Sequence, residues 1–259
     1  MGQDEKVTNE LENVETSTYE EEKGNAIAHK DNALQKINAL LLKYINNPET
    51  VSKSDKLSYW LEDYCRYLDF EDKFNPKYLK SYKRGDVIKV NLGYNIGNEE
   101  GGLHYCIVLD RKNSMSSGVI TVIPLTSDKG KAPRFADVTL GNEIYVKFNE
   151  KFDAIKLSVS KNINDIAKPE NEKNVDLLVE TMDMFKTAQK IQAELSKMKK
   201  ESIAMVGQIT TISKQRIYDP QKTGDILSGI RISDESLDMI NEKMKQLYIK
   251  WWKLFEKNS

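Results

Sequence analysis

The side chains whose types and spacing suit proton transfer at a phosphate lie close together in one stretch of the chain. Histidine is the side chain that both accepts and donates a proton near neutral pH, and His104 is the only histidine between Arg84 and Ser127. Thr126 and Ser127 can donate hydrogen bonds to phosphate oxygens. So can the backbone N–H groups of a Gly101–Gly102 turn. Lys129, Lys131 and Arg134 follow closely and can supply positive charge. Ahead of His104, Gly97, Gly101 and Gly102 surround Asn98, Glu99 and Glu100. Glycines there let a loop backbone approach a ligand closely. Each residue also has an ordinary structural use: a hydrogen bond within the sheet for His104, a turn for Thr126 and Ser127, and a solvated loop for the two glutamates.

These residues need strands to position them, and the flanking pattern predicts three in succession. Val87, Ile88 and Val90 precede the loop, Ile107, Val108 and Leu109 follow it, and Val119, Ile120, Val122, Ile123 and Leu125 make the third run. FADVTL at 135–140 predicts a further strand, and the alternation of Ile155, Leu157 and Val159 predicts another at 153–160.

The block from Arg84 to Ser127 resembles the PemK/MazF family of toxin endoribonucleases. The matching residues are Arg84, Gly85 and Asp86, the loop Gly97 to Gly102, and Pro124, Leu125, Thr126 and Ser127. A second block, Ser202 to Ile217 (SIAMVGQITTISKQRI), is similar to the family's downstream strand with its Gln and Ile-x-Thr-Ile-x-Lys-x-Arg-Ile tail. The chain departs from the pattern at two neighbouring positions, with His104 where the family has arginine and Tyr105 where it has proline.

The resemblance implies an α+β fold, a small SH3-like β-barrel with a C-terminal helix. It also implies a metal-independent, cofactor-free, sequence-selective endoribonuclease that cleaves single-stranded RNA by 2′-hydroxyl attack and leaves a 2′,3′-cyclic phosphate. The family's catalytic pair carries over to His104 and Thr126, with Ser127 beside them. Asn98, Glu99, Glu100, Gly101, Gly102, Lys129, Lys131, Arg134 and Gln208 become the substrate-binding candidates. Gln208 has a second reading, as support for the core. The implied partners are single-stranded RNA, a cognate antitoxin and a second copy of the chain. Because arginine's permanent charge and bidentate grip are lost at His104, the alternative is an inactive or weak protein-binding or regulatory module on the same fold.

Composition bounds the remainder. Lys and Arg total 39 against 40 Asp and Glu, so a large sequence-independent nucleic-acid footprint is not indicated. No membrane-spanning run or signal peptide is read, and Cys65 and Cys106 read as reduced core residues, which together predict a cytoplasmic protein. Residues 1–24, with Glu20, Glu21 and Glu22 among many acids, read as a disordered tail. Residues 25–80 read as a helical extension, its second helix capped by Ser54 or Asp55. Residues 81–259 read as the barrel domain, with a helical insertion at about 161–200. In that insertion Leu177, Thr181, Met184, Ala188, Ile191, Leu195 and Met198 keep four-three spacing, a coiled-coil-like seam expected to pair with the N-terminal helices or, as the second candidate, with a symmetry-related copy of the chain. His29 reads as structural or solvated. Ser233 caps a last helix whose buried face includes Leu237, Ile240, Met244, Leu247, Trp251 and Leu254.

Overall fold

The computed structural model describes residues 4–130, 132–168 and 174–249. The chain divides into two compact units, Met1–Cys65 and Arg66–Ser259, with the boundary inside the second helix.

In the first unit, helix α1 spans Asp4–Ile45 and α2 starts at Val51, continuing to Phe70. The acidic segment expected to be a disordered tail is therefore helical from Asp4 onward. It contains no proline, and pairs such as Lys23 with Glu20, 3.2 Å apart, bridge neighbouring turns. Such exposed pairs contribute a few tenths of a kcal/mol each. Ser54 is not a cap. It sits one turn inside α2, buried, and its hydroxyl donates to the Leu41 carbonyl at 3.4 Å. Cys65 is exposed on α2 rather than in a core, whereas Cys106 is buried as expected; both are free thiols. His29 is exposed on α1.

The second unit holds a seven-stranded antiparallel sheet with the order β4-β5-β3-β2-β1-β7, and β6 also pairs with β3. The strands are β1 (Val87–Asn91), β2 (Leu103–Val108), β3 (Val119–Ser127), β4 (Asp137–Gly141), β5 (Ser202–Met205), β6 (Thr210–Ser213) and β7 (Ile217–Asp219). Strand β3 is the spine. Its first half pairs with β6, from Val119↔Ser213 to Val122↔Thr210, and its last residues pair with β5, from Leu125↔Ala204 to Ser127↔Ser202. The strand expected in the block Ser202 to Ile217 is thus interrupted between β5 and β6 by a 3-10 turn, Val206–Gln208. There the sheet bends, but it ends on β4 and β7 without closing into the expected barrel.

Both faces of the central strands are buried, which is why they read as near-continuous apolar runs. Val87, Ile107, Ile123 and Leu125 face a core shared with helices; Ile88, Val90, Cys106, Val108, Ile120 and Val122 face the hollow of the bent sheet with Ile212 and Ile217.

Helix α3 spans Glu143–Ile166, so the strand expected at 153–160 does not form. Ile144, Phe148 and Val159 are buried and Phe152 and Ile155 pack on the core, while Leu157 is 74% exposed. That is helical spacing, which the five-residue stretch 155–159 mimics as alternation. Helix α4 (Val175–Leu195) packs on α3. Thr181, Ala188 and Ile191 of the seam are buried, with Leu195 and Met198 joining the main core. Lys151 on α3 fixes the loop before the last helix, its ammonium donating to the carbonyls of Asp225, Ile226 and Ser228 at 2.7–3.1 Å.

Helix α5 (Asp234–Tyr248) begins as expected, with the Ser233 hydroxyl accepting from the Ser236 N–H at 3.2 Å. Glu143, at the start of α3, adds a second cap: its carboxylate accepts from the Ser233 N–H and, at 2.6 Å, from the Ser236 hydroxyl. Negative charge there suits the positive end of the helix dipole. Trp251 and Leu254 lie outside the described residues.

Candidate functional site

Strand β2 carries His104, and β3 ends at Thr126 and Ser127. Their pairing, Cys106↔Pro124 through Val108↔Val122, places His104 across from Thr126 when extended two residues. A cleft of about 470 Å³ opens at this edge, lined by Glu100, His104, Thr126, Ser127 and Lys129. Residues from one loop and two strands, chosen on the sequence for phosphate chemistry, thus share one surface.

Both ring nitrogens of His104 face oxygens. Nδ1 lies 3.1 Å from the Leu125 carbonyl, and Nε2 lies 3.0 Å from Glu100 Oε1. Each ring nitrogen thus faces an acceptor, and a ring protonated on both nitrogens could donate to both. About a quarter of each side chain stays exposed, 27% for His104 and 24% for Glu100. The pair is accessible from solvent yet shielded enough for a charge-assisted hydrogen bond to be strong.

Glu100 is delivered by a rigid loop. Gly102 has φ +87°, its N–H donates to the Gly93 carbonyl at 2.6 Å, and its carbonyl accepts from the Leu92 N–H at 2.7 Å. The Gly102 amide expected to meet phosphate is therefore used inside the loop. A Cβ on Gly101 would lie 2.7 Å from the Gly93 carbonyl, so only glycine allows this approach. Asn95 bridges the loop, its amide donating to the Glu100 carbonyl at 2.6 Å and the Leu92 carbonyl at 3.3 Å. Gln208, from the 3-10 turn that bends the sheet, clasps the loop from the other side. Its Nε2 donates to the Asn98 carbonyl at 3.0 Å and its Oε1 accepts from the Glu100 N–H at 3.3 Å.

Other expected contacts fall elsewhere. Glu99 and Gln208 line a neighbouring cleft of about 390 Å³ with Arg216 and not the His104 cleft, although Glu100 borders both. Asn98 is exposed at the loop tip and contributes its carbonyl to the Gln208 clasp. Arg134 does not line the His104 cleft; its guanidinium is exposed and lies 3.8 Å from Asp137, whose carboxylate also accepts from the Arg134 N–H. Lys131 lies outside the described residues.

Residues 83–164 match the family model of the PemK-like, MazF-like toxins of type II toxin–antitoxin systems. The chain carries a PemK-like domain. No curated protein matches the chain. The match covers β1 to β4 and most of α3, so the PemK-like segment contains the loop, His104, Thr126 and Ser127. Among the described residues, no helix is long and apolar enough to cross a membrane.

Part of the cleft wall was not foreseen. Lys197, Lys199 and Glu201, in the turn between α4 and β5, line it beside Tyr105. Tyr105 occupies the second position where the chain departs from the PemK pattern, and it is engaged. Its hydroxyl donates to Glu194 of α4, which also pairs with Lys89 of β1. Burial alone would raise the Glu194 carboxyl, but the hydrogen bonds from Lys89 and Tyr105 outweigh it and hold the group below its ordinary value. Burial, and then Glu194, push the Tyr105 phenol up. A proline at this position would have no hydroxyl to offer.

Proposed function

We propose that the PemK-like domain is an endoribonuclease that cuts single-stranded RNA by attack of its own 2′-hydroxyl. The observation that carries this reading is the Glu100–His104 contact at the mouth of a cleft also lined by Thr126 and Ser127. The substrate phosphate enters between the two side chains. Glu100 takes the proton from the 2′-hydroxyl, and the 2′-oxygen attacks the adjacent phosphorus. His104, as imidazolium, gives its Nε2 proton to the departing 5′-oxygen as the P–O5′ bond breaks. The products are a 2′,3′-cyclic phosphate and a 5′-hydroxyl end, and neither step calls for a metal. Thr126 and Ser127 donate hydrogen bonds to the non-bridging oxygens, where negative charge builds. The family context adds an antitoxin that covers this cleft and a homodimeric toxin, in the cytoplasm.

The test is incubation of the purified protein with a long single-stranded RNA in excess chelator, followed by mapping of the ends. Discrete cuts with cyclic-phosphate ends are expected. They should fall by roughly 10²–10⁴-fold in His104→Ala, the range for a general acid, and by less in Thr126→Ala. RNA left intact by the wild type, under conditions where the protein is folded and free of partners, rules the reading out in favour of a protein-binding module on this fold.

A further inference from the structure

We propose that the turn leaving α4 forms a phosphate-binding wall, in which Lys197 and Lys199 hold the RNA backbone beside the phosphate that is cut. The inference rests on the reading of the cleft as an RNA site and deepens it. Within the run Lys197, Met198, Lys199, Lys200, the first two lysines, Lys197 and Lys199, line the His104 cleft. Lys200 does not, and its ammonium lies 5.9 Å from the centre of the Tyr145 ring. Met198 is the inward peg, packed on the main core with Leu195. The residues on either side of this half-buried peg are exposed, so the chain presents Lys197 and Lys199 together.

Their placement is fixed from within. Glu194 is tied to β1 and β2 through Lys89 and Tyr105, and β5 begins at Ser202, so the turn is anchored at both ends. Lys197 and Lys199 are exposed and form no ion pair among the described residues. Lys129 adds a third ammonium to the cleft, while Glu201 lines it as well and offsets part of the charge. Glu100 is engaged with His104. Three ammonium groups in one cleft of a chain with net charge −1 make a local anion site. A lysine ammonium is a compact point charge suited to phosphate without fixed geometry. The turn lies outside the matched segment 83–164, and the resembled family's arginine is His104 here. The insertion thus returns cationic grip to a site whose histidine is occupied on both nitrogens.

The test uses the full chain and a short single-stranded RNA methylated at every 2′-oxygen, which binds but cannot be cut, with affinity read by fluorescence anisotropy across a salt series. Lys197→Gln/Lys199→Gln should weaken binding on the order of tenfold and lower the slope of log affinity against log salt by about 0.7 per lysine, the increment for a single-strand phosphate contact. In cleavage of unmodified RNA, KM should rise with kcat little changed, since the contact is made equally before and in the transition state. Lys200→Gln should change neither. Unaltered affinity and slope in the double variant, with a wild type that cuts RNA in a His104-dependent manner, overturn the lysine wall and leave the nuclease reading standing. An equal loss in Lys200→Gln overturns it too, as general electrostatics. A wild type that neither binds nor cuts RNA overturns both.

Discussion

Tyr105 and Glu194 lie 89 residues apart in the chain and share a hydrogen bond that ties strand β2 to helix α4. It joins the residue next to His104 to the helix whose last turn leads into Lys197 and Lys199. One departure from the family pattern, His104, thus lies in the cleft, and its neighbour Tyr105 bears on helix α4.

Tyr105→Phe removes the hydroxyl and leaves Lys89 as the hydrogen-bond partner of Glu194, with the Lys197 charge nearby. The expected cost is about 1–3 kcal/mol, the range for hydrogen bonds to a charged group, read as a lower denaturant midpoint with unchanged slope. The turn beyond α4 loses one anchor, so the salt slope of RNA binding should fall with it, which a purely structural loss would not produce.

The Glu194 cluster also sets an acid limit. Its carboxyl is held below the ordinary value of 4.5 in the folded protein. A depressed carboxyl contributes stability that is fully present above its unfolded value and is lost as pH falls through the folded one. The stability gap between wild type and Glu194→Gln should therefore be constant above about pH 5 and shrink as the solution is acidified below that. A gap that stays level into strong acid contradicts the assignment.

Gln208→Ala removes both hydrogen bonds that clasp the glycine loop, at 3.0 and 3.3 Å. Gln208 does not line the His104 cleft, so it acts by positioning Glu100. With each bond worth roughly 1 kcal/mol net, kcat should fall about tenfold while KM moves little. A change confined to KM would instead place Gln208 against substrate.

Phe148 is fully buried where α3 meets the sheet. Phe148→Ala should cost about 3–5 kcal/mol, measured by chemical denaturation. A cost below about 1 kcal/mol would mean that α3 is not part of this core.

How much was legible follows the range of the interactions. The runs Val87–Val90, Ile107–Leu109 and Val119–Leu125 and the Ser233 cap are local signals, and each sits where the pattern places it. The clustering of His104, Thr126, Ser127 and Lys129 was also legible, because a β2–β3 pairing between adjacent strands brings them to one edge. The five-residue alternation at 155–159 could not separate strand from helix, and the α3 surface on which α4 packs depended on that choice. The sequence by itself determined the central strands and the start of the last helix, since short-range periodicity and capping specify them. Only the tertiary structure decided that the sheet stays open, that Gln208 clasps the loop, that Arg134 turns to Asp137, and that Lys197 and Lys199 reach the cleft. Most of those outcomes rest on contacts between residues many tens of positions apart, Arg134–Asp137 being the short-range exception, and such contacts leave no local period to read.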